Sequence, residues 1–110
     1  MKIGDRQKQF PPMIAKLILF AYEQGYQLSF GDAYRDPRVF GNCGEKEGYG
    51  EPYSNHKLRL AVDFNLFKNG HWLTQDSDFD FLHDYWESIG GAARIPGDGN
   101  HFSLDWEGRR

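Results

Sequence analysis

The chain has one cysteine, Cys43, among its 110 residues, so no intramolecular disulfide is possible and the fold must hold without one. That fits synthesis in a reducing compartment. It also lacks an apolar run long enough to span a bilayer, and Leu17-Ile18-Leu19-Phe20-Ala21 is too short and too far along for a signal peptide. No membrane insertion is expected. Cationic excess is missing as well: 13 Lys and Arg against 16 Asp and Glu give a formal charge of −3, which argues against a phosphate-binding surface and hence against nucleic acid. The Gly-Arg-Arg ending at 108–110 is too short to reverse that. Internal repeats, linkers and low-complexity tracts are absent too.

What the chain does have is aromatic residues, 16% of the total, and charges of both signs interspersed, the composition of a globular fold. Its length fits one domain, residues 1–110, around a single core. After Pro11-Pro12, residues Ile14, Leu17, Ile18, Ala21 and Tyr22 recur at helical steps, and Gly25 stands where a left-handed terminus is wanted. A helix from about Pro12 to Gln24 is predicted. Tyr26, Leu28 and Phe30 then alternate with Gln27 and Ser29 as a half-buried strand. Residues 36–53, rich in glycine with two prolines and three glutamates, read as a long loop.

The next strand puts Leu60, Val62, Phe64 and Leu66 on one face and Ala61, Asp63, Asn65 and Phe67 on the other. Asn69-Gly70 predicts a tight hairpin and a new strand from His71. Phe81, Leu82, Tyr85, Trp86 and Ile89 mark a second helix, with Ser77 or Asp78 as its cap and Gly90-Gly91 as its stop. A final strand alternates His101, Ser103 and Asp105 against Phe102, Leu104 and Trp106. The fold class is therefore α+β, a small, mainly antiparallel sheet with two packed helices.

Chemistry concentrates in three places. Asp63 lies on the face opposite the apolar residues of its strand, where a buried carboxylate needs a partner. His56 lies far enough upstream to curl back over that surface. Asp98 and His101 are joined by a Gly-Asn turn that can aim both into one pocket. Two imidazoles and one carboxylate, His56, His101 and Asp63, make a three-donor set for a catalytic zinc with a fourth position open, and Asp98 beside them can move protons. The bland alternative is an ordinary polar cluster, with Asp98 shaping its turn.

These residues carry a family resemblance. "SNHKLRLAVDF" at 54–64 resembles the S-x-H-x6-D segment of the zinc peptidase family M15, "DGNH" at 98–101 resembles its acid-x-x-His segment, and "DAYR" at 32–35 is similar to its arginine landmark. The matching segments keep the family's order. The resemblance implies a hedgehog/DD-peptidase-like fold, Zn2+ on His56, Asp63 and His101, and Asp98 as general acid/base. It also implies Arg35 on the oxyanion or a substrate carboxylate, with Ser54 and Tyr34 at the substrate pocket.

The implied activity is hydrolysis of the peptidoglycan stem peptide, at the L-alanyl-D-glutamate bond in the endolysin-like branch that the short "DGNH" favours. The alternatives are cleavage at the D-Ala-D-Ala terminus, as a carboxypeptidase or dipeptidase, and a zinc-stabilised wall-binding module without turnover. Such a protein would be a monomer, made in a host cytoplasm and acting on the bacterial cell wall.

Arg35 can alternatively pair with Asp32 or Asp36, and Ser54 can cap a local turn. His83 and Glu87, four apart on the second helix, are expected in solvent, as is His71. Cys43 reads as an incidental thiol, Glu45, Glu47 and Glu51 as a solvated acidic stretch. Tyr34, Tyr49 and Tyr53 either line a groove or pack the loop.

Overall fold

A computed structural model of the chain describes residues 1–34 and 54–110. The expectations placed on Arg35, Cys43, Tyr49, Tyr53 and the glutamates of the 36–53 segment lie outside the described residues. The chain is α+β: helix α1 (Ile3–Glu23), strands β1 (Gln27–Phe30), β2 (Ala61–Lys68) and β3 (His71–Leu73), helix α2 (Asp80–Ser88) and strand β4 (His101–Ser103). Single 3-10 turns at Asn55–Leu58 and Asp76–Phe79 lead into β2 and α2.

Helix α1 starts at Ile3, not at Pro12, and runs through Pro11 and Pro12 without ending. Each proline lacks the N–H that would bond four residues back, so the helix loses two internal bonds there. Tertiary contacts compensate. Phe10 packs edge-on against Trp86 with ring centroids 6.0 Å apart, and Gln7 donates its side-chain amide to the Leu58 carbonyl at 2.8 Å. Arg6 reaches the Asp105 carbonyl at 3.3 Å. Both prolines lie on the exposed side, where the missing bonds are open to water. Asp5 accepts the Lys2 backbone N–H at 3.1 Å, closing half of a capping box.

Both helices stop in the same way. The Gly25 N–H bonds to the Tyr22 carbonyl and that of Tyr26 to Ala21, while Gly90 bonds to Glu87 and Gly91 to Trp86. These are the paired bonds of the Schellman motif, and both Gly25 and Gly90 take the positive φ it requires, 85° and 103°. Entry to α2 differs from the expectation. The Asp78 carboxylate does not begin the helix; it accepts the Gln75 N–H at 2.9 Å and closes the 3-10 turn before it.

Strand β2 is the centre of the sheet. Antiparallel β1 takes one edge, pairing Gln27 with Phe67 and Phe30 with Phe64. The other edge is shared end to end: β3 pairs with Leu66–Lys68 through the Asn69-Gly70 hairpin, and β4 pairs with Ala61–Asp63. One face of this sheet packs on the helices. Val62, Phe64, Leu66 and Phe102 join Leu17 and Ala21 of α1 and Leu82 and Trp86 of α2 in one buried cluster. Trp86 also donates its indole N–H to the Ser103 carbonyl at 2.9 Å, tying α2 to β4. Asp63, Asn65 and His101 are left on the opposite face. No helix among the described residues is long and apolar enough to cross a membrane.

The turn after α2 leaves no room for a side chain at residue 91: a Cβ on Gly91 would overlap the Trp86 indole, whereas one on Gly4 meets nothing within 4 Å. Gly91→Ala is expected to lower stability by about 1–3 kcal/mol through overpacking. Gly4→Ala should be neutral or stabilising by up to about 1 kcal/mol, since it only restricts the unfolded chain. Urea unfolding of the two variants against the parent checks both outcomes.

Candidate metal centre

Three segments supply the site, each held by its own backbone. His56 sits in the Asn55–Leu58 turn. Ser54 caps that turn by accepting the His56 N–H on its hydroxyl at 3.2 Å. Asn55, fully buried, donates its side-chain amide to the carbonyls of Leu104 at 2.8 Å and Arg109 at 3.0 Å, pinning the turn to the end of the chain. Asp63 is fixed from the other side, its N–H bonded to the Asp32 carbonyl at 2.7 Å and its carbonyl to the Gly31 N–H at 2.8 Å.

His101 faces Asp63 directly across the β2–β4 ladder. The neighbouring bonds, Phe64 N–H to Asn100 and Leu104 N–H to Leu60, mark this as a non-hydrogen-bonded pair, the kind in which opposed side chains come closest. The Asp98–His101 turn behind it is closed by the His101 N–H on the Asp98 carbonyl at 3.0 Å.

The result is a small triangle of donor atoms. His56 Nε2 lies 3.1 Å from Asp63 Oδ1, His101 Nδ1 lies 3.4 Å from the same oxygen, and the two nitrogens are 3.3 Å apart. A tetrahedral ion with nitrogen and oxygen donors at about 2.0–2.2 Å has donor-to-donor edges of about 3.3–3.6 Å. The three atoms therefore lie close to one face of such a tetrahedron. His56 and His101 are buried and Asp63 half-buried, so this His56, Asp63 and His101 group can hold a metal ion.

Their chemistry fits that role. Burial pushes the Asp63 carboxyl up, but hydrogen bonds with His101 and His56 and the charge on those rings outweigh it and hold the group at about 2. It is a carboxylate at neutral pH. The far ring nitrogens, His56 Nδ1 and His101 Nε2, are buried without a partner among the described residues. The polar interactions of these two rings therefore converge on one point.

Asp98 stands beside the triangle and not in it. Its Oδ2 is 3.9 Å from His101 Nδ1 and its side chain is half exposed, so it faces both solvent and the centre. Ser54 acts on the turn that carries His56. Tyr34 is exposed, its ring 4.2 Å from the Arg59 guanidinium carbon.

His83 is a correction to the sequence reading: it is buried, not solvated. Its ring stacks on Phe102 at 4.3 Å and 11°, and Nε2 lies 2.7 Å from the Gly99 carbonyl, inside the Asp98–His101 turn. Burial lowers its pKa, so the ring is neutral and donates that proton to Gly99. It buttresses from the core side the turn that carries both Asp98 and His101. The signal was available: Phe79, Leu82, His83 and Trp86 follow the i, i+3, i+4, i+7 spacing of a buried helical stripe, and all four are buried. Glu87 is half-buried and engaged by Arg94 at 2.9 Å, while His83 Nδ1 stays 3.9 Å away from it. His71 is exposed as expected.

Fold and site together define a small α+β domain with a candidate three-donor metal centre. Compared with known proteins, the chain matches no family model and no curated sequence.

Chelator-stripped protein should take up one zinc per chain in equilibrium dialysis, and Asp63→Asn or His101→Ala should weaken that uptake by on the order of 100-fold or more. Zinc at a hundred times the parent's dissociation constant should add about 2.7 kcal/mol of stability to the parent and no more than about 0.4 kcal/mol to those variants. His83→Phe keeps the stacking but strands the Gly99 carbonyl, and should cost about 1–3 kcal/mol in denaturant unfolding.

Proposed function

We propose that the chain is a zinc-dependent hydrolase of bacterial peptidoglycan, of the peptidase family its motifs resemble, cutting the stem peptide between L-alanine and D-glutamate. The observation that carries this reading is the donor triangle, spaced like one face of a tetrahedron, with the half-exposed Asp98 carboxylate beside it and outside it. A purely structural zinc site closes its coordination shell with four protein donors, whereas the three donors found among the described residues leave a position for chemistry. Two imidazoles and a carboxylate suit zinc better than magnesium or calcium, which prefer oxygen alone.

A zinc ion held here would supply Lewis acidity, lowering the pKa of water toward neutrality and polarising a carbonyl. His56 and His101 would hold it through Nε2 and Nδ1, and Asp63 would contribute a negative charge. Asp98 takes the proton of the attacking water and returns it to the departing amine, a task that its partial exposure and its place beside His101 both favour. Arg35, assigned by the motif resemblance, offers a fixed planar cation to the charge that develops on the scissile oxygen. Ser54 acts through the backbone of His56, and Tyr34 borders the substrate. The protein would be made in a host cytoplasm and would meet its substrate at the wall.

Asp98→Ala should retain zinc and the fold while losing about 10²–10⁴ in turnover. The check is mass analysis of digested peptidoglycan with and without a chelator. New D-glutamate amino termini support the proposal. Released D-alanine moves the cut to the D-Ala-D-Ala end, and wall binding with no new amines leaves only a binding module. Unimpaired hydrolysis by Asp98→Ala would remove that residue from the mechanism.

A further inference from the structure

Arg59 ends the turn that carries His56, and it does so in the left-handed region, with φ 58° and ψ 34°. That conformation favours glycine. Among the described residues two other non-glycine residues share it, Asn69 and Glu107. Each of those precedes a positive-φ glycine inside a two-residue hairpin, between Lys68 and His71 or between Trp106 and Arg109, where the turn type demands it. Arg59 belongs to no hairpin. A backbone outlier next to a functional centre points toward function.

Its side chain is placed with equal care. The guanidinium carbon lies 4.2 Å from the centre of the Tyr34 ring. Tyr34 is two residues beyond Asp32, whose carbonyl holds the Asp63 N–H, and Arg59 is three residues beyond His56, whose carbonyl accepts the Arg59 N–H. The stacked pair therefore joins the segments that carry two of the three metal donors.

Other arginines spend their donors on the protein itself. Arg94 pairs with Asp80, Asp84 and Glu87, and Arg109 with Glu107. Arg59 is exposed and has no carboxylate partner among the described residues. A guanidinium held over an aromatic ring spends no N–H on a carboxylate, so its donors remain for a bidentate acceptor.

The surroundings make such a cation useful. The chain carries a formal charge of −3, and two of its carboxylates, Asp63 and Asp98, stand at the centre itself. An anionic peptide approaching this surface needs a local positive group to fix its register. We infer that Arg59, braced on Tyr34, is a carboxylate-binding group at the rim of the metal centre that selects acidic peptides. The substrate class rests on the peptidase reading above; the carboxylate site itself does not.

The test uses the full-length zinc-loaded Asp98→Ala protein, so that ligands bind without turnover. L-alanyl-D-glutamate should bind on the order of 10-fold more tightly than its carboxamide counterpart, as expected when a charge-assisted bidentate pair is lost. Arg59→Gly should erase that preference while leaving zinc affinity unchanged and the unfolding midpoint equal or higher, and Arg59→Lys should keep part of it. Glutarate, titrated against the Tyr34 ring resonances, should shift them in the parent and not in Arg59→Gly.

An acid preference that survives Arg59→Gly overturns the inference, as does a fall in unfolding midpoint with the preference intact, which would make the pair a structural brace. The two readings fail separately. Glutarate binding at Arg59 with no peptidoglycan cleavage would sink the hydrolase and keep this site, whereas cleavage indifferent to substrate charge would do the reverse.

Discussion

The antiparallel register between β4 and the first half of β2 is the constraint on which the site depends. It sets Asp63 opposite His101 in a non-hydrogen-bonded pair, where opposed side chains approach most closely, and it turns both away from the helical layer. A slip of one residue would send His101 into the core beside Trp86 and bring Phe102 out toward Asp63. The register is secured from the core face. Phe102 is fully buried among Phe64, Phe79 and Trp86, and the indole N–H of Trp86 reaches the Ser103 carbonyl. The hydrophobic core thus fixes where the polar donors stand.

Rigid support reaches the donors through the backbone. Asn55 spends its side-chain amide on two carbonyls near the end of the chain, and Ser54 caps the turn between them and His56. On the other side, neutral His83 holds the Gly99 carbonyl and so braces the turn behind His101. Two buried polar residues, neither of them a metal donor, position two of the three donor-bearing segments. Such bracing is what a small domain needs if it is to keep three ligands converged without a disulfide. Among the described residues the far nitrogens of His56 and His101 have no partner, so packing and their neighbours' backbone bonds place these rings.

Much of this was legible from local chemistry. Gly25 and Gly90-Gly91 stop the helices as their positions in the sequence suggest, because positive φ is nearly a glycine property. Asn69-Gly70 makes the hairpin for the same reason. The alternation through Leu60–Phe67 correctly separates the core face from the face that carries Asp63. The start of α1 was not legible, since Pro11-Pro12 reads as a beginning, and only contacts from Phe10, Gln7 and Arg6 to distant residues carry the helix past it. His83 was misjudged because Leu82, Tyr85 and Trp86 read as a filled core face, whereas His83 itself lies in the buried Phe79–Trp86 stripe.

By itself the sequence determined the element types, the two sheet faces and the residue types able to hold an ion, since these follow from periodicities of two and 3.6, from glycine's freedom and from donor chemistry. Only the tertiary structure decided that His56 Nε2, Asp63 Oδ1 and His101 Nδ1 meet within 3.4 Å of one another, that Asp98 stays outside that triangle, and that Arg59 stands over Tyr34. The reason is geometric: those distances depend on the register of strands some forty residues apart and on the core that locks it, and no local window of sequence contains either.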